Sequence, residues 1–265
     1  MWGEQSIDLY VGACSKAAYG VEPPQVVVDF AQTAFAHATR EGFVNETAYL
    51  SFGGAGFDIA GPAQRPVWPD CEPYSYACTP PELFVFGSPG VDGIHYGFVV
   101  HAPELPSFPL AALNPLMSDV GVRALGKTPE QGVALLNPAH RDASSFDPQW
   151  PALGLELPDG WRHEQTLDGI GVLAPETAFG DAQSIDVGHY AALAPVERAA
   201  TLSLMKGHPA TSLLVLREFF ANNHHGDAVS ARAVLRLMAQ AYRALDRPLL
   251  ADNALRHAQL HWPKA

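Results

Sequence analysis

Two histidines near the end of the chain have the spacing of a metal-binding pair. His257 and His261 lie four residues apart in a segment with helical periodicity, so both side chains project from one side of a helix. A third ligand could come from His224 or His225 in the preceding loop. No glutamate follows His257, so the pair does not form the HExxH motif of zinc metalloproteases. Two interpretations stay open, a metal site and the exposed histidines of an ordinary helix.

A glycine-rich loop is the best candidate for binding a small ligand. Glycines stand at positions 87, 90 and 93, and glycine lets the backbone approach a ligand closely. The candidate ligand-binding residues are a glycine, a carboxylate, an imidazole and three phenols: Gly93, Asp92, His95, Tyr96, Tyr74 and Tyr76. An ordinary hairpin loop made of turn-forming residues explains the same pattern.

A catalytic alternative places a hydrolase-like or metal-dependent site between residues 87–93 and the segment 51–81. The side chains that would have to converge in one pocket are His95, Asp92, Asp70 and Cys71. No complete catalytic motif supports this alternative, since Ser88 lacks the GxSxG spacing of a nucleophile elbow. No lysine or arginine between residues 66 and 106 is present to lower the pKa of a neighbouring thiol. We therefore expect a non-catalytic protein without a cofactor.

Charge and composition disfavour several kinds of partner. The 265 residues include 16 basic and 28 acidic ones, and the net charge of −12 has the wrong sign for binding phosphates. Nucleic acid is therefore not an expected partner, whereas an acidic surface is compatible with a basic protein. No apolar stretch reaches the roughly 18 residues of a membrane span. The sequence does not indicate an oligomeric state.

The compartment is predicted from the start of the chain and from the cysteines. The first ten residues have neither the basic start nor the apolar run of a secretory signal. Three cysteines, Cys14, Cys71 and Cys78, form no CxxC motif, and an odd count is typical of free thiols in a reducing compartment. We expect a cytoplasmic protein.

Hydrophobic periodicity predicts an α+β protein with a small, mostly antiparallel sheet, flanking helices and long loops. A helix is expected at 24–40, short helices at 110–116 and 130–136, and an irregular segment with at most one strand at 51–81. The strongest strand pattern is a hairpin formed by 83–86 and 94–101. Alternation directs Ile94, Tyr96, Phe98 and Val100 to the core, and leaves His95, Val99 and His101 on a half-exposed face. A second hairpin is expected around residues 168–169.

The composition changes after residue 195, which divides the chain into an α+β domain at 1–195 and a helical module at 196–265. Helices are expected at 227–245 and from Pro248 onward, joined by the short turn Asp246–Arg247. The stretch from Met238 to Pro263 resembles a tetratricopeptide repeat, with a small residue, an aromatic residue and a leucine before the turn, then an Ala-Leu pair and a closing proline. Asp246 departs from the glycine often found at that turn. A helical hairpin that only caps the α+β domain explains the pattern equally well.

A second resemblance concerns the first predicted hairpin. The run from Glu82 to Gly87, followed by the run from Asp92 to Phe98, is similar to the central hairpin of the SUKH family, which includes yeast cell-wall-assembly regulators and bacterial toxin-immunity proteins. The helix that ends near Gly42 would match the opening helix of that family. The resemblance implies a non-catalytic scaffold that binds another protein in an immunity or regulatory role.

Overall fold

The computed structural model describes residues 12, 14–29, 32, 48–52, 55–59, 77–88, 95–105, 108–114, 121–124, 157–181, 191–223 and 227–263. Within these ranges the chain forms two antiparallel sheets followed by four helices, which confirms the α+β prediction. Residues 14–19 and 25–29 near the start are helical, and the second stretch lies inside the helix expected at 24–40. The helix expected at 130–136 lies outside the described residues.

The larger sheet is a six-stranded antiparallel meander in which each strand pairs with the next along the chain. Its strands are β1 (Ala48–Phe52), β2 (Ala55–Ile59), β3 (Leu83–Ser88), β4 (His95–Val99), β5 (Leu110–Asn114) and β6 (Gly121–Ala124). The predicted hairpin is confirmed as β3 and β4, with Leu83 opposite Val99 and Phe84 opposite Phe98. The register shifts between Val85 and Gly87, where the ladder contains a bulge or irregularity.

Both faces of β4 are buried, which corrects the expectation that one face would be half exposed. Tyr96, Phe98 and Val100 pack with Phe84 in the main hydrophobic cluster. On the opposite face, Val99 packs in a second cluster with Leu83, Val85, Leu113 and Ile170. Strand β4 is therefore covered on both faces, and His95 on the strand and His101 just after it are buried too.

Three strands, β1, β5 and β6, form where the sequence pattern did not predict a strand. Residues 110–114 were expected to be helical because leucine and alanine favour helices, yet they form β5 between β4 and β6. Pairing on both sides, with Leu110, Ala111, Ala112 and Leu113 all buried, outweighs intrinsic propensity there. Strand β1 lies mostly before the segment 51–81, where one short strand was expected, and β2 lies within that segment. Their five-residue runs flank Gly53 and Gly54 in the sequence, which is the signal of a two-residue hairpin.

The smaller sheet is the hairpin β7 (Trp161–Glu164) and β8 (Val172–Pro175), which confirms the hairpin expected around residues 168–169. Its turn contains glycines with positive φ at Gly169 and Gly171. Ile170 at the tip of this turn is fully buried in the second hydrophobic cluster. The small hairpin therefore packs its turn against the larger sheet.

Four helices follow, α1 (Leu193–Met205), α2 (Pro209–Asn223), α3 (Ala228–Ala244) and α4 (Pro248–His261). The predicted helices at 227–245 and from Pro248 are confirmed as α3 and α4. Asp227 caps α3 by accepting hydrogen bonds from Val229 N at 2.8 Å and Ser230 N at 3.0 Å. Among the described residues, no helix has the length and hydrophobicity needed to cross a bilayer.

The helices share one hydrophobic cluster with the larger sheet. Phe84, Phe98 and Leu110 of the sheet belong to the same buried cluster as Leu216 of α2 and Met238 of α3. The predicted boundary at residues 195 and 196 marks a change in composition, and the packing of the core continues across it.

Replacement of Gly97 by alanine is expected to destabilise the larger sheet by about 3 kcal/mol or more. A Cβ atom on Gly97 would lie 2.4 Å from the backbone oxygen of Phe84 and 2.8 Å from a methyl of Leu83, so the β3–β4 pairing would have to move. The control is Gly207→Ala, where φ is +79° in open space and the expected loss is about 1 kcal/mol. Urea unfolding measures both, and equal losses for the two variants would contradict the prediction.

Candidate functional site

The predicted small-ligand site is only partly within the described residues. His95 and Tyr96 are 1% and 2% exposed on β4, so neither side chain faces a solvent-accessible pocket. Burial lowers the pKa of His95 to about 4. Asp92, Gly93, Tyr74 and Tyr76 lie outside the described residues, as do Asp70 and Cys71 of the catalytic alternative. The structure therefore gives the two described candidates a place in the core.

The rings of the two histidines in α4 lie close together, and one of the two already contacts a backbone carbonyl. The rings of His257 and His261 have centroids 4.5 Å apart. His257 is buried, and its Nε2 lies 3.1 Å from the carbonyl oxygen of Ala77. Burial, together with the neighbouring His261, lowers the pKa of His257 to about 3 despite that hydrogen bond. No cluster of three or more metal-binding side chains occurs in the part of the chain that the structure describes, and His224 and His225 lie outside it.

The cysteines differ from the expectation of free thiols. Cys14 is disulfide-bonded, whereas Cys78 is a buried free thiol whose pKa is raised to about 11 by burial. A raised pKa keeps Cys78 protonated and unreactive at neutral pH. The disulfide of Cys14 is unusual for a cytoplasmic protein, since such bonds persist mainly in oxidising compartments. The cytoplasmic location stays a prediction.

The most conspicuous ionisable group in the described core is an arginine held by two carboxylates. Arg217 of α2 donates from Nη1 to Glu82 just before β3, and from Nη2 to Asp168 in the β7–β8 turn. The hydroxyl of Tyr242 in α3 donates to the other oxygen of Glu82. We call these four residues the Arg217 cluster. It joins the large sheet, the small hairpin and two helices at one point.

The β7–β8 turn fixes the position of Asp168. Thr166 and the backbone N–H of Ile170 both donate to Oδ1 of Asp168, the latter at 3.1 Å. The hydroxyl of Thr166 in turn accepts from the N–H of Gly171 at 2.7 Å. With Oδ1 held by its own turn, Oδ2 is left to accept from Arg217. The local sequence of the hairpin thus presents one carboxylate oxygen to α2.

The electrostatics of the Arg217 cluster stabilise the charged arginine. Burial alone lowers the pKa of Arg217, but Asp168 and Glu82 raise it by more, so the pKa lies above its ordinary value. Burial and the negative charge of Glu82 raise the pKa of Tyr242 well above its ordinary value. Tyr242 therefore stays protonated and acts as a hydrogen-bond donor. The buried charges of Arg217, Glu82 and Asp168 lose their hydration, and the attraction between the guanidinium and the two carboxylates offsets that loss.

Two histidines lie beside the Arg217 cluster. The Nε2 atoms of His101 and His163 lie 2.7 Å and 2.9 Å from the same acceptor, the carbonyl oxygen of Ile170. Burial, together with the positive charges of Arg217 and Arg247, lowers the pKa of His101 to about 3, and burial also lowers the pKa of His163. Both histidines are therefore neutral near pH 7 and donate their Nε2 protons.

Solvent access decides what the Arg217 cluster can do. Glu82, Asp168 and Arg217 are 3%, 2% and 1% exposed, and Tyr242 is fully buried. A group that transfers a proton or binds a substrate must reach the reacting atoms, and none of these side chains reaches the surface. The cluster is therefore a structural connection between the elements.

An exposed groove with an apolar lining lies between α1 and α3 and has a volume of about 800 Å³. Among the residues that line it are Arg198, Leu202 and Met205 of α1, and Arg236, Leu237 and Gln240 of α3. Met205 is 80% exposed, the highest value among the large hydrophobic residues that the structure describes as exposed. We call this feature the α1/α3 groove.

Comparison with known proteins does not assign a family. A scan of protein-family models finds no match, and no curated protein is significantly similar to the chain.

Sequence reasoning did not single out the Arg217 cluster. One signal was present, because the apolar run from Leu213 to Phe220 is interrupted only by Arg217 and Glu218, and Arg217 lies on the buried face of α2. A buried arginine needs carboxylate partners. Glu82 and Asp168 could not be selected as those partners among 28 acidic residues without the fold.

Proposed function

We propose that the protein is a non-catalytic, protein-binding scaffold with an immunity or regulatory role, in which a SUKH-like α+β domain is extended by a tetratricopeptide-like helical module. The observation that carries the proposal is the contrast between two features of the described residues. The Arg217 cluster is sealed from solvent, whereas the α1/α3 groove exposes apolar side chains. Exposed apolar grooves rimmed by polar residues are typical of protein-binding surfaces.

The arrangement of the helices supports the tetratricopeptide-like part of the proposal. Helices α1 and α2 form one hairpin and α3 and α4 a second, and α1 also contacts α3. The first helices of the two hairpins begin at residues 193 and 228, a separation close to the repeat length of about 34 residues in tetratricopeptide repeats. Stacked hairpins of this kind create extended concave surfaces. The α1/α3 groove would be that surface.

The chemistry of the α1/α3 groove suits an amphipathic segment of a partner. Leu202, Met205 and Leu237 supply an apolar floor, and methionine adapts its shape to different ligands. Arg198 and Arg236 are exposed at the same groove and could pair with carboxylates of the partner. An amphipathic helix laid into such a groove buries its apolar face.

Residues 1–192 carry most of the negative charge of the chain. They contain 23 acidic and seven basic residues, whereas residues 193–265 contain five acidic and nine basic ones. A basic partner protein would therefore be attracted to residues 1–192 by the opposite charge. This attraction should weaken as the salt concentration increases.

Site-specific photo-crosslinking tests the proposed function. A photoreactive phenylalanine analogue at position 205 is expected to give a defined adduct with a partner protein in the native host. The same analogue at position 229 is expected to give none, because Val229 is 66% exposed but lies outside the α1/α3 groove. Adducts identical at both positions, or absent at both, would count against the groove as a binding surface. Met205→Glu, which places a charge on the apolar floor, should remove the partner in a pull-down of the otherwise native protein.

A further inference from the structure

A second groove lies between α3 and α4 and has a volume of about 530 Å³. Helix α3 contributes Arg232 and Arg236, which are four residues apart and so share one face. Leu255 and Gln259 of α4, and Trp262 just after it, form the opposite wall. We call this feature the α3/α4 groove. Arg236 lines both grooves.

The charge of the α3/α4 groove is of one sign. Among the described residues that line it there are two arginines and no acidic residue, in a protein with a net charge of −12. Nη1 of Arg232 donates to the carbonyl oxygens of Trp262 and Pro263 at 3.2 Å and 3.3 Å, which fixes the guanidinium against the end of α4. A guanidinium has five N–H donors, so Arg232 can hold these carbonyls and also meet an incoming carboxylate.

The apolar wall of the α3/α4 groove has the spacing of a helix-packing ridge. Leu255, Ala258 and Gln259 stand at positions i, i+3 and i+4 of α4, and Trp262, directly after the helix, lines the same groove. The indole of Trp262 is held by edge contacts with Phe220 and His261, at centroid distances of 6.3 Å and 5.9 Å. Two neighbouring helices with such stripes leave a channel into which the ridge of a third helix packs.

We infer that the α3/α4 groove binds an acidic amphipathic helix of a partner protein. The apolar face of that helix packs on Leu255, Ala258 and Trp262, and its carboxylates pair with Arg232 and Arg236. This inference rests on the proposed protein-binding function, but it concerns a different surface from the α1/α3 groove. The partner's acidic character follows from the two arginines and from the absence of a carboxylate among the described lining residues.

Peptide binding to the full chain tests the inference. The probe is a fluorescein-labelled 18-residue helical peptide with leucine along one face and glutamate along the other, and the comparison peptide has lysine in place of each glutamate. Fluorescence anisotropy at low salt is expected to show saturable binding of the glutamate peptide only. Raising the salt concentration should weaken it, because the attraction between exposed charges is screened.

A pair of matched charge changes locates the bound peptide. Gln259 and Gln240 are both exposed helix residues; Gln259 lines only the α3/α4 groove and Gln240 only the α1/α3 groove. Gln259→Lys should tighten the dissociation constant of the glutamate peptide about threefold and Gln259→Glu should weaken it about threefold, the size expected of one exposed charge pair. Gln240→Lys and Gln240→Glu should change it by less than that. None of these four substitutions removes a packed side chain, so all four variants should fold.

The outcomes separate this inference from the proposed function. A response at Gln240 but not at Gln259 would place the peptide in the α1/α3 groove, which overturns the inference and leaves the proposed function standing. Equal binding of the glutamate and lysine peptides, or no saturable binding of either, also overturns the inference, while crosslinking at position 205 judges the proposed function independently. A Trp262→Ala variant with an unchanged circular dichroism spectrum should bind the glutamate peptide at least fivefold more weakly, since aromatic anchors carry much of the energy of such contacts.

Discussion

Replacing Arg217 by methionine is expected to reduce the free energy of unfolding by about 3 to 5 kcal/mol at pH 7. The substitution keeps the apolar volume in α2 but leaves the carboxylates of Glu82 and Asp168 buried without their shared cation. Each carboxylate then has lost its charged partner in a region from which water is excluded. Guanidinium chloride unfolding followed by circular dichroism measures the loss.

Two further variants keep the prediction testable if the Arg217→Met protein does not fold. Tyr242→Phe removes one hydrogen bond to the buried Glu82 and is expected to cost about 1.5 to 3 kcal/mol. Arg243→Met breaks the exposed ion pair with Asp252, whose atoms are 3.1 Å apart, and is expected to cost less than about 1 kcal/mol. Similar losses for Arg217→Met and Arg243→Met would show that the Arg217 cluster contributes little to stability.

Rescue distinguishes a charge effect from a packing effect. In the triple variant Arg217→Met, Glu82→Gln, Asp168→Asn, no carboxylate of the cluster is left to be buried without a partner. We expect this variant to recover at least half of the stability that Arg217→Met loses, because neutral amides cost less to bury than charges. No recovery would indicate that the shape of the arginine side chain matters more than its charge.

Stability is expected to fall by about 6 kcal/mol between pH 7 and pH 5. The pKa values of His95, His101 and His257 are lowered to about 4, 3 and 3 by burial. The unfolded chain binds a proton at each of these histidines below about pH 6.5, while the folded protein does not. Unfolding is therefore favoured as the pH falls, by about 2 kcal/mol per histidine at pH 5.

The acid dependence is measured by guanidinium chloride unfolding at pH 7, 6 and 5. A loss of this size is a large share of the usual 5 to 15 kcal/mol of a folded domain, so unfolding without denaturant is expected between about pH 5 and pH 4. His101→Gln retains a donor for the carbonyl oxygen of Ile170 but cannot be protonated. The number of protons taken up on unfolding at pH 5 should therefore be smaller by about one in this variant. A free energy of unfolding that is the same at pH 7 and pH 5 would refute the prediction.

The elements that the sequence predicted correctly are those with local signals. Helix α3 begins after its cap Asp227 and α4 begins at Pro248, and both residues act on their own first turn. Strands β3 and β4 were predicted because their aromatic and β-branched residues suit a sheet. The helix predicted at 110–116 was wrong at residues 110–114. Leu and Ala favour helices, and only pairing with the neighbouring strands overrides that preference.

Partners distant in sequence could not be predicted. Arg217 lies 135 residues from Glu82 and 49 from Asp168, and no periodicity connects such positions. The burial of His95 and His101 was missed for a related reason, since alternation shows that a strand has two faces but not whether a second layer covers the outer one. Of the candidate sites, the sequence located His257 and His261 on one helix, but it did not show that the carbonyl oxygen of Ala77 already engages His257.

The hydrophobic cluster shared by the sheet and the helices has a consequence for how the protein responds to damage. Phe98 of β4 and Met238 of α3 belong to one buried hydrophobic cluster. The hydrogen bonds from Arg217 to Glu82 and Asp168 connect the same sheet and helices. Unfolding should therefore be all-or-none across both parts, so that probes placed in β4 and in α3 report the same midpoint. A nick or an oxidative lesion in either part would then make the whole molecule susceptible to proteolysis.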